Sequence, residues 1–127
     1  MITFRTTAIV LRGKIKQNPN VLYLFGDNLI RKGLGGQAKE MRGEPNTIGI
    51  VTKRYPSNHP TSFIYDSDKD IEDIKAIIDA DINKVKSLLS TGKYKALVIP
   101  PIGVGLAKLP SNAPQLFKYL QDRLGEF

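Results

Sequence analysis

The chain contains no cysteine and a single histidine, His59. The first absence removes disulfides, thiolate metal sites and cysteine nucleophiles together, and the second rules out a histidine-rich metal centre. No metal or cofactor is therefore expected, and any chemistry must use Asp, Asn, Lys, Ser, Thr, Tyr or backbone groups. No apolar run approaches a bilayer's thickness, and Met1-Ile2-Thr3-Phe4-Arg5 lacks the basic-then-apolar plan of a secretory leader. A cytoplasmic protein without membrane association is the expectation. No G-x-x-x-x-G-K-[ST] occurs, which excludes a P-loop. Repeats, low-complexity tracts and linkers are also missing, so residues 1–127 are expected to form one domain with a real core.

What is present in excess is positive charge, formally +7. It favours polyanionic partners, either nucleic acid or a phosphate-bearing metabolite. No basic run is longer than a pair, so a lysine-rich solvated surface explains the charge slightly better than a dedicated nucleic-acid patch.

Along the chain, Ile2 to Leu11 is rich in β-branched residues and reads as a first strand, followed by a polar connection through Arg12-Gly13-Lys14 and Asn18-Pro19-Asn20. Val21 to Phe25 is continuously apolar, as expected of a strand covered on both faces, and Ile48-Gly49-Ile50-Val51 repeats the pattern. Both are expected to be central. Ser67 to Asp70 opens one long helix, capped by an Asp or Ser, with Ile71, Ile74, Ile78, Ile82, Val85 and Leu89 at helical spacing and Gly92 at its end. Ala96 to Ile99 is the next buried strand, and a final helix follows with Ser111 or Asn112 as cap. Alternating strands and helices predict an α/β fold with a mostly parallel central sheet and helices on both sides.

In such a sheet ligands bind outside the carboxyl ends of the strands. Three loops leave those ends: Gly26 to Gly36, the stretch from Lys53, and Gly103 to Leu106. The first carries Gly33-Leu34-Gly35-Gly36-Gln37-Ala38 into a run of helix formers. Glycines there let the backbone approach a ligand closely, and free N–H groups favour phosphate, although a tight turn alone would also need them. The same letters fit G-x-G-x-x-A, but Gly26 to Lys32 separate them from the strand, and Thr52-Lys53-Arg54 stands where a dinucleotide fold needs an acidic residue.

At these residues the sequence resembles the macro domain family of ADP-ribose-binding α/β modules. Gly33 to Ala38 corresponds to that family's first glycine loop, and Pro100-Pro101-Ile102-Gly103-Val104-Gly105-Leu106 to its P-x-I-G-x-G-L diphosphate loop. Thr52-Lys53-Arg54 with Ser57, His59, Pro60 and Thr61 is similar to the T-K-(K/R)…S-H-x-P-T segment of the subgroup that removes terminal ADP-ribose from proteins, related to antitoxins that remove it from DNA. The resemblance spans Val21 to about Leu124. It implies a three-layer macro-like fold, a catalytic role for Lys53, and ligand contacts from Gly26, Asn28, Gly33, Gly35, Gly36, Ala38, Thr52, Ile102, Gly103, Val104, Gly105 and Leu106. Two departures matter. The protein-directed enzymes carry an aspartate after the second loop's G-L, where this chain has Ala107. The family also often ends in a strand, whereas Gly125-Glu126-Phe127 follow an expected helix here and leave Ile2 to Leu11 to build the sheet edge.

An amine near a ribose C1″ can attack the anomeric carbon, provided its surroundings leave it neutral part of the time. Arg54 is like-charged and adjacent, but neighbours on a strand point to opposite faces. Asp27 and Asn28 suit either an Asx-turn or recognition of ribose and adenine. Asp27 is the carboxylate nearest the strand ends and is the candidate acid/base in place of the missing aspartate. His59 reads as a loop hydrogen-bonding residue, and Tyr55 as a stacking or packing group. The expected partner is ADP-ribose or an ADP-ribosylated macromolecule, DNA among them, bound by a monomer. Hydrolysis of the ADP-ribosyl bond is the leading expectation, with a module that only binds the nucleotide as the alternative.

Overall fold

The computed structural model describes residues 1–127. Its centre is a sheet of four parallel strands, β1 (Ile2–Arg5), β2 (Val21–Asn28), β3 (Thr47–Lys53) and β4 (Ala96–Ile99), in the order β1-β4-β2-β3. The helices are α1 (Arg12–Gln17), α2 (Ala38–Met41), α3 (Ile71–Ser90), α4 (Leu109–Asn112) and α5 (Pro114–Leu124). Short 3-10 turns occupy Pro60–Ser62 and Gly105–Ala107.

Side chains alternate across a strand, so the continuous apolar run of β2 feeds two cores. Leu22 and Leu24 join Ile48, Ile50, Leu97 and Ile99 beneath α3 and α5, which contribute Ile74, Ile78, Ile82 and Val85, and Leu116, Leu120 and Leu124. Val21, Tyr23 and Phe25 face the other way, onto Ile15 of α1 and Ala38 and Met41 of α2. The result is a three-layer α/β domain, and no helix is long and apolar enough to cross a membrane.

Four sequence expectations are corrected. The first strand stops at Arg5, because β4 ends at Ile99 and offers no further partner; Thr6 then accepts the Ala8 N–H through its hydroxyl and turns the chain away. Arg12 to Gln17 is a helix, held by tertiary contacts: Asn46 donates to the Ile15 carbonyl, and Arg12 pairs with Glu44. β3 is an edge strand. Its outer edge is covered by side chains, Asp81 accepting from the Val51 N–H at 3.0 Å and Arg31 donating to the Gly49 carbonyl at 3.2 Å, which leaves it as buried as a central one.

The fourth concerns helix ends. Ser111 and Asn112 belong to α4, and the first N–H groups of α5 are capped from afar by Asp66, which accepts from Gln115 at 2.9 Å and Leu116 at 3.0 Å. Asp70 holds the N-cap position of α3 but makes no side-chain bond to it. Its carboxylate is taken by Arg54, which pulls the Asp70 pKa below its ordinary value.

Candidate functional site

β2 and β4 run into glycine loops at their carboxyl ends, β3 ends in Lys53, and the segment after β1 crosses the same rim. A cleft of about 240 Å³ opens between them. Gly26, Asp27, Asn28, Gly33, Gly35, Gly36, Ala38, Thr52, Lys53, Gly103, Val104, Gly105 and Leu106 all line it. Ile102 does not; it is 3% exposed and packs into the core beneath α5.

The backbone N–H groups of Gly35, Gly36, Gly103 and Val104 donate to no carbonyl or side chain of the protein. Two separate loops thus present free donors to one space, the arrangement that suits a diphosphate. The helix behind the first loop, α2, is a single turn, so its dipole contributes little and the loop amides must supply the attraction. Backbone geometry explains the glycines: Gly33 has φ +97°, Gly36 +58°, Gly103 +84° and Gly105 +51°. A Cβ at Gly103 would lie 2.9 Å from Leu109 Cδ1, whereas one at Gly105 would meet nothing within 4 Å. Leu106 reaches back toward the first loop, its Cδ1 3.2 Å from where a Gly35 Cβ would stand.

Lys53 is the sole buried cationic side chain, only 8% exposed. Its ammonium stands 5.2 Å from the centre of the Phe63 ring and joins no ion pair. Burial first, and the Lys108 ammonium second, push its pKa below the usual 10.5. Arg54 points elsewhere, to Asp68 at 2.8 Å and Asp70 at 2.6 Å. Thr52 donates to the Asp27 carbonyl at 3.2 Å, tying β3 to β2 beneath the cleft.

Asp27 lines the cleft but is not a free carboxylate. Arg42 donates to Oδ1 at 2.5 Å and Oδ2 at 3.3 Å, Arg31 adds a longer pair at 3.7 Å, and the Asn28 N–H donates to Oδ1 at 2.8 Å. The same Arg42 donates to the carbonyls of Gly33 and Lys32 at 2.8 and 3.2 Å, fastening the first glycine loop to the end of β2. Asn28 is also engaged locally, donating to the Lys32 carbonyl at 2.6 Å and accepting from the Ile30 N–H at 3.2 Å. Both residues therefore build the loop through side-chain turns.

His59 and Tyr55 lie outside the cleft lining. His59 Nδ1 accepts from the Thr61 N–H at 3.2 Å, and the Ser57 and Ser62 hydroxyls bond each other, so the Ser-x-His-Pro-Thr segment shapes the loop that brings Phe63 to Lys53. Sequence reasoning missed Phe63, Lys108, Arg42 and Gln37. Gln37 holds the Val10 backbone at both its N–H and its carbonyl, securing the segment that carries Thr7 and Ile9 to the cleft. The positions near Lys53 and Ala107 give Phe63 and Lys108 a faint signal; nothing in the local sequence singles out Arg42 or Gln37.

A family model matches residues 5–123, described as a family of unknown function (DUF7831). The chain belongs to this family. No curated protein and no solved structure matches it. The DUF7831 match covers all four strands' cleft-facing ends, so the cleft lies within the family's shared region.

Proposed function

We propose that this DUF7831 protein binds ADP-ribose and hydrolyses the bond joining it to a macromolecule, with Lys53 as nucleophile. The observation that carries the reading is a buried lysine, without a carboxylate partner, lining the same cleft as two loops whose amides are free. The resemblance of the same loops to the macro domain family supports it further. The diphosphate lies against the amides of Gly35, Gly36, Gly103 and Val104. This brings the distal ribose to Lys53.

The neutral amine forms a bond to C1″ as the bond from C1″ to the macromolecule breaks; the departing group keeps the electron pair and takes the proton the amine loses. Ribose ring opening converts the adduct into an imine. Water then adds at C1″ and releases ADP-ribose, restoring the amine. Desolvation serves this step directly, since only the neutral amine has a lone pair to give.

One observation favours a second reading, a module that binds without turnover. Asp27 is occupied by Arg42 and Arg31, and no other Asp or Glu lines the cleft, so no carboxylate stands free to assist a leaving group. Incubation with ADP-ribosylated DNA and ADP-ribosylated protein, beside a titration with free ADP-ribose, separates the readings. Released ADP-ribose that disappears in Lys53→Ala, with binding retained, is the expected result. Borohydride should fix ADP-ribose to Lys53 of the wild type. Equal release by wild type and Lys53→Ala would sink the mechanism, and tight binding with no release by either would select the module.

A further inference from the structure

Two ammonium groups converge on one aromatic ring. Lys53 Nζ lies 5.2 Å and Lys108 Nζ 5.4 Å from the centre of Phe63, itself 7% exposed. Neither lysine joins an ion pair. The residue that could have supplied a carboxylate at the end of this loop is Ala107. The ring face attracts each cation, but their mutual repulsion is left without a counter-charge.

The backbone that delivers Lys108 is unusual for a lysine. It stands in the left-handed region, φ 53° and ψ 31°, where glycine or asparagine is the ordinary occupant. Its N–H donates to the Gly105 carbonyl at 3.2 Å, and its carbonyl accepts from Asn112 N–H at 3.0 Å and the Ser111 hydroxyl at 3.2 Å. A base of this kind fixes where the long side chain starts, at the junction between the diphosphate loop and α4.

We infer that Lys108 is a positioning residue acting through Lys53: its ammonium, held over the same Phe63 ring, is the second cation that makes the Lys53 amine more reactive. The inference rests on the reading of Lys53 as nucleophile. After burial, Lys108 is the charge that lowers the Lys53 pKa. Lys108 itself is exposed and stands outside the cleft lining, whose charged groups besides Lys53 are Asp27 from β2, Lys32 from the first glycine loop and Arg42 following α2. Asp27 is bound to Arg42, and Arg54 is turned to Asp68 and Asp70, so neither offers Lys53 a compensating partner. A lysine beside a second cation in an apolar setting is a known way to make an amine reactive near neutral pH.

The test measures the amine itself, without ADP-ribose. Limited acetylation with acetic anhydride, followed by peptide mapping, gives the rate at Lys53 as a function of pH. Lys108→Asn removes the charge with a residue suited to the left-handed backbone, and Lys108→Arg retains the charge. Lys53 should react about threefold or more slowly at pH 8 in Lys108→Asn, with its profile moved to higher pH, while Lys108→Arg should follow the wild type. Far-ultraviolet circular dichroism confirms that both variants are folded. An unchanged Lys53 profile in folded Lys108→Asn, or an equal loss in Lys108→Arg, would overturn the inference. Absence of ADP-ribose binding would sink the functional reading above while leaving this profile intact, so the two failures are distinguishable.

Discussion

Single residues in the cleft divide into those whose replacement should touch the ligand and those whose replacement should touch the fold. Gly105 has open space beside it, so Gly105→Glu adds bulk and a negative charge to the proposed diphosphate position without a steric clash in the protein. Its left-handed backbone, φ +51°, should cost the variant about 1 kcal/mol of stability, and in the folded variant ADP-ribose affinity should fall at least about a hundredfold in calorimetric titration, equivalent to about 2.7 kcal/mol. Unchanged affinity would remove the diphosphate from this loop. Gly103 behaves differently, since a Cβ there meets Leu109 and Leu120 and the backbone is at φ +84°. Gly103→Ala should destabilise by about 2 kcal/mol in urea unfolding, so it cannot serve as a binding test.

Lys53 carries a thermodynamic cost beside its proposed chemical role. Its pKa is lower in the folded chain than the ordinary 10.5, so between the folded and unfolded values the unfolded state binds more protons and stability rises with pH. Below that interval the folded state holds a poorly solvated ammonium. Lys53→Met keeps the stem and removes the charge. It should raise stability at neutral pH by about 1 kcal/mol, read as a higher urea midpoint, while abolishing the proposed turnover. A lower midpoint would mean that the contact with Phe63 outweighs desolvation.

At the scale of elements, carboxylates remote in sequence complete what local sequence leaves open. Asp66 supplies the acceptors for the first turn of α5, whose own N-cap position is Ala113. Asp66→Ala should cost about 1 kcal/mol, the ordinary value of a lost cap, measurable by urea unfolding. Asp81 performs a similar service at the open edge of β3. Burial raises its pKa, while the Arg31 guanidinium and the Val51 N–H oppose that rise. Asp81→Ala leaves the buried Val51 N–H without its acceptor and should cost about 2 kcal/mol, with Asp81→Asn recovering part by keeping an oxygen in place. Equal losses in the two variants would show that charge pairing with Arg31, and not the amide acceptor, dominates.

For the molecule as a whole, the net charge of +7 and the cleft suggest different salt responses. A diphosphate held by loop amides depends mainly on short hydrogen bonds. Its affinity should fall only a few-fold between about 50 and 200 mM salt, whereas binding through six or more nucleic-acid phosphates would fall by about a thousandfold or more. Titrations with free ADP-ribose and with ADP-ribosylated DNA across that range would show whether the basic surface joins the cleft in holding a substrate. A steep response for free ADP-ribose would count against amide-dominated binding.

The sequence by itself determined the elements whose signals are local and strong. β2 and β4 are legible from short apolar runs, α3 from its isoleucine stripe, and the parallel α/β order from their alternation, because period and length are properties of neighbouring residues. The same order places both glycine loops and Lys53 at strand carboxyl ends, so their meeting in one cleft was also legible. Only the tertiary structure decided what the side chains do there. Asp27 is claimed by Arg42, α5 is capped by Asp66, β3 is finished by Asp81 and Arg31, and Lys53 meets Phe63 and Lys108. These pairings join residues that are not neighbours along the chain, and the packing of the elements sets which charge reaches which partner.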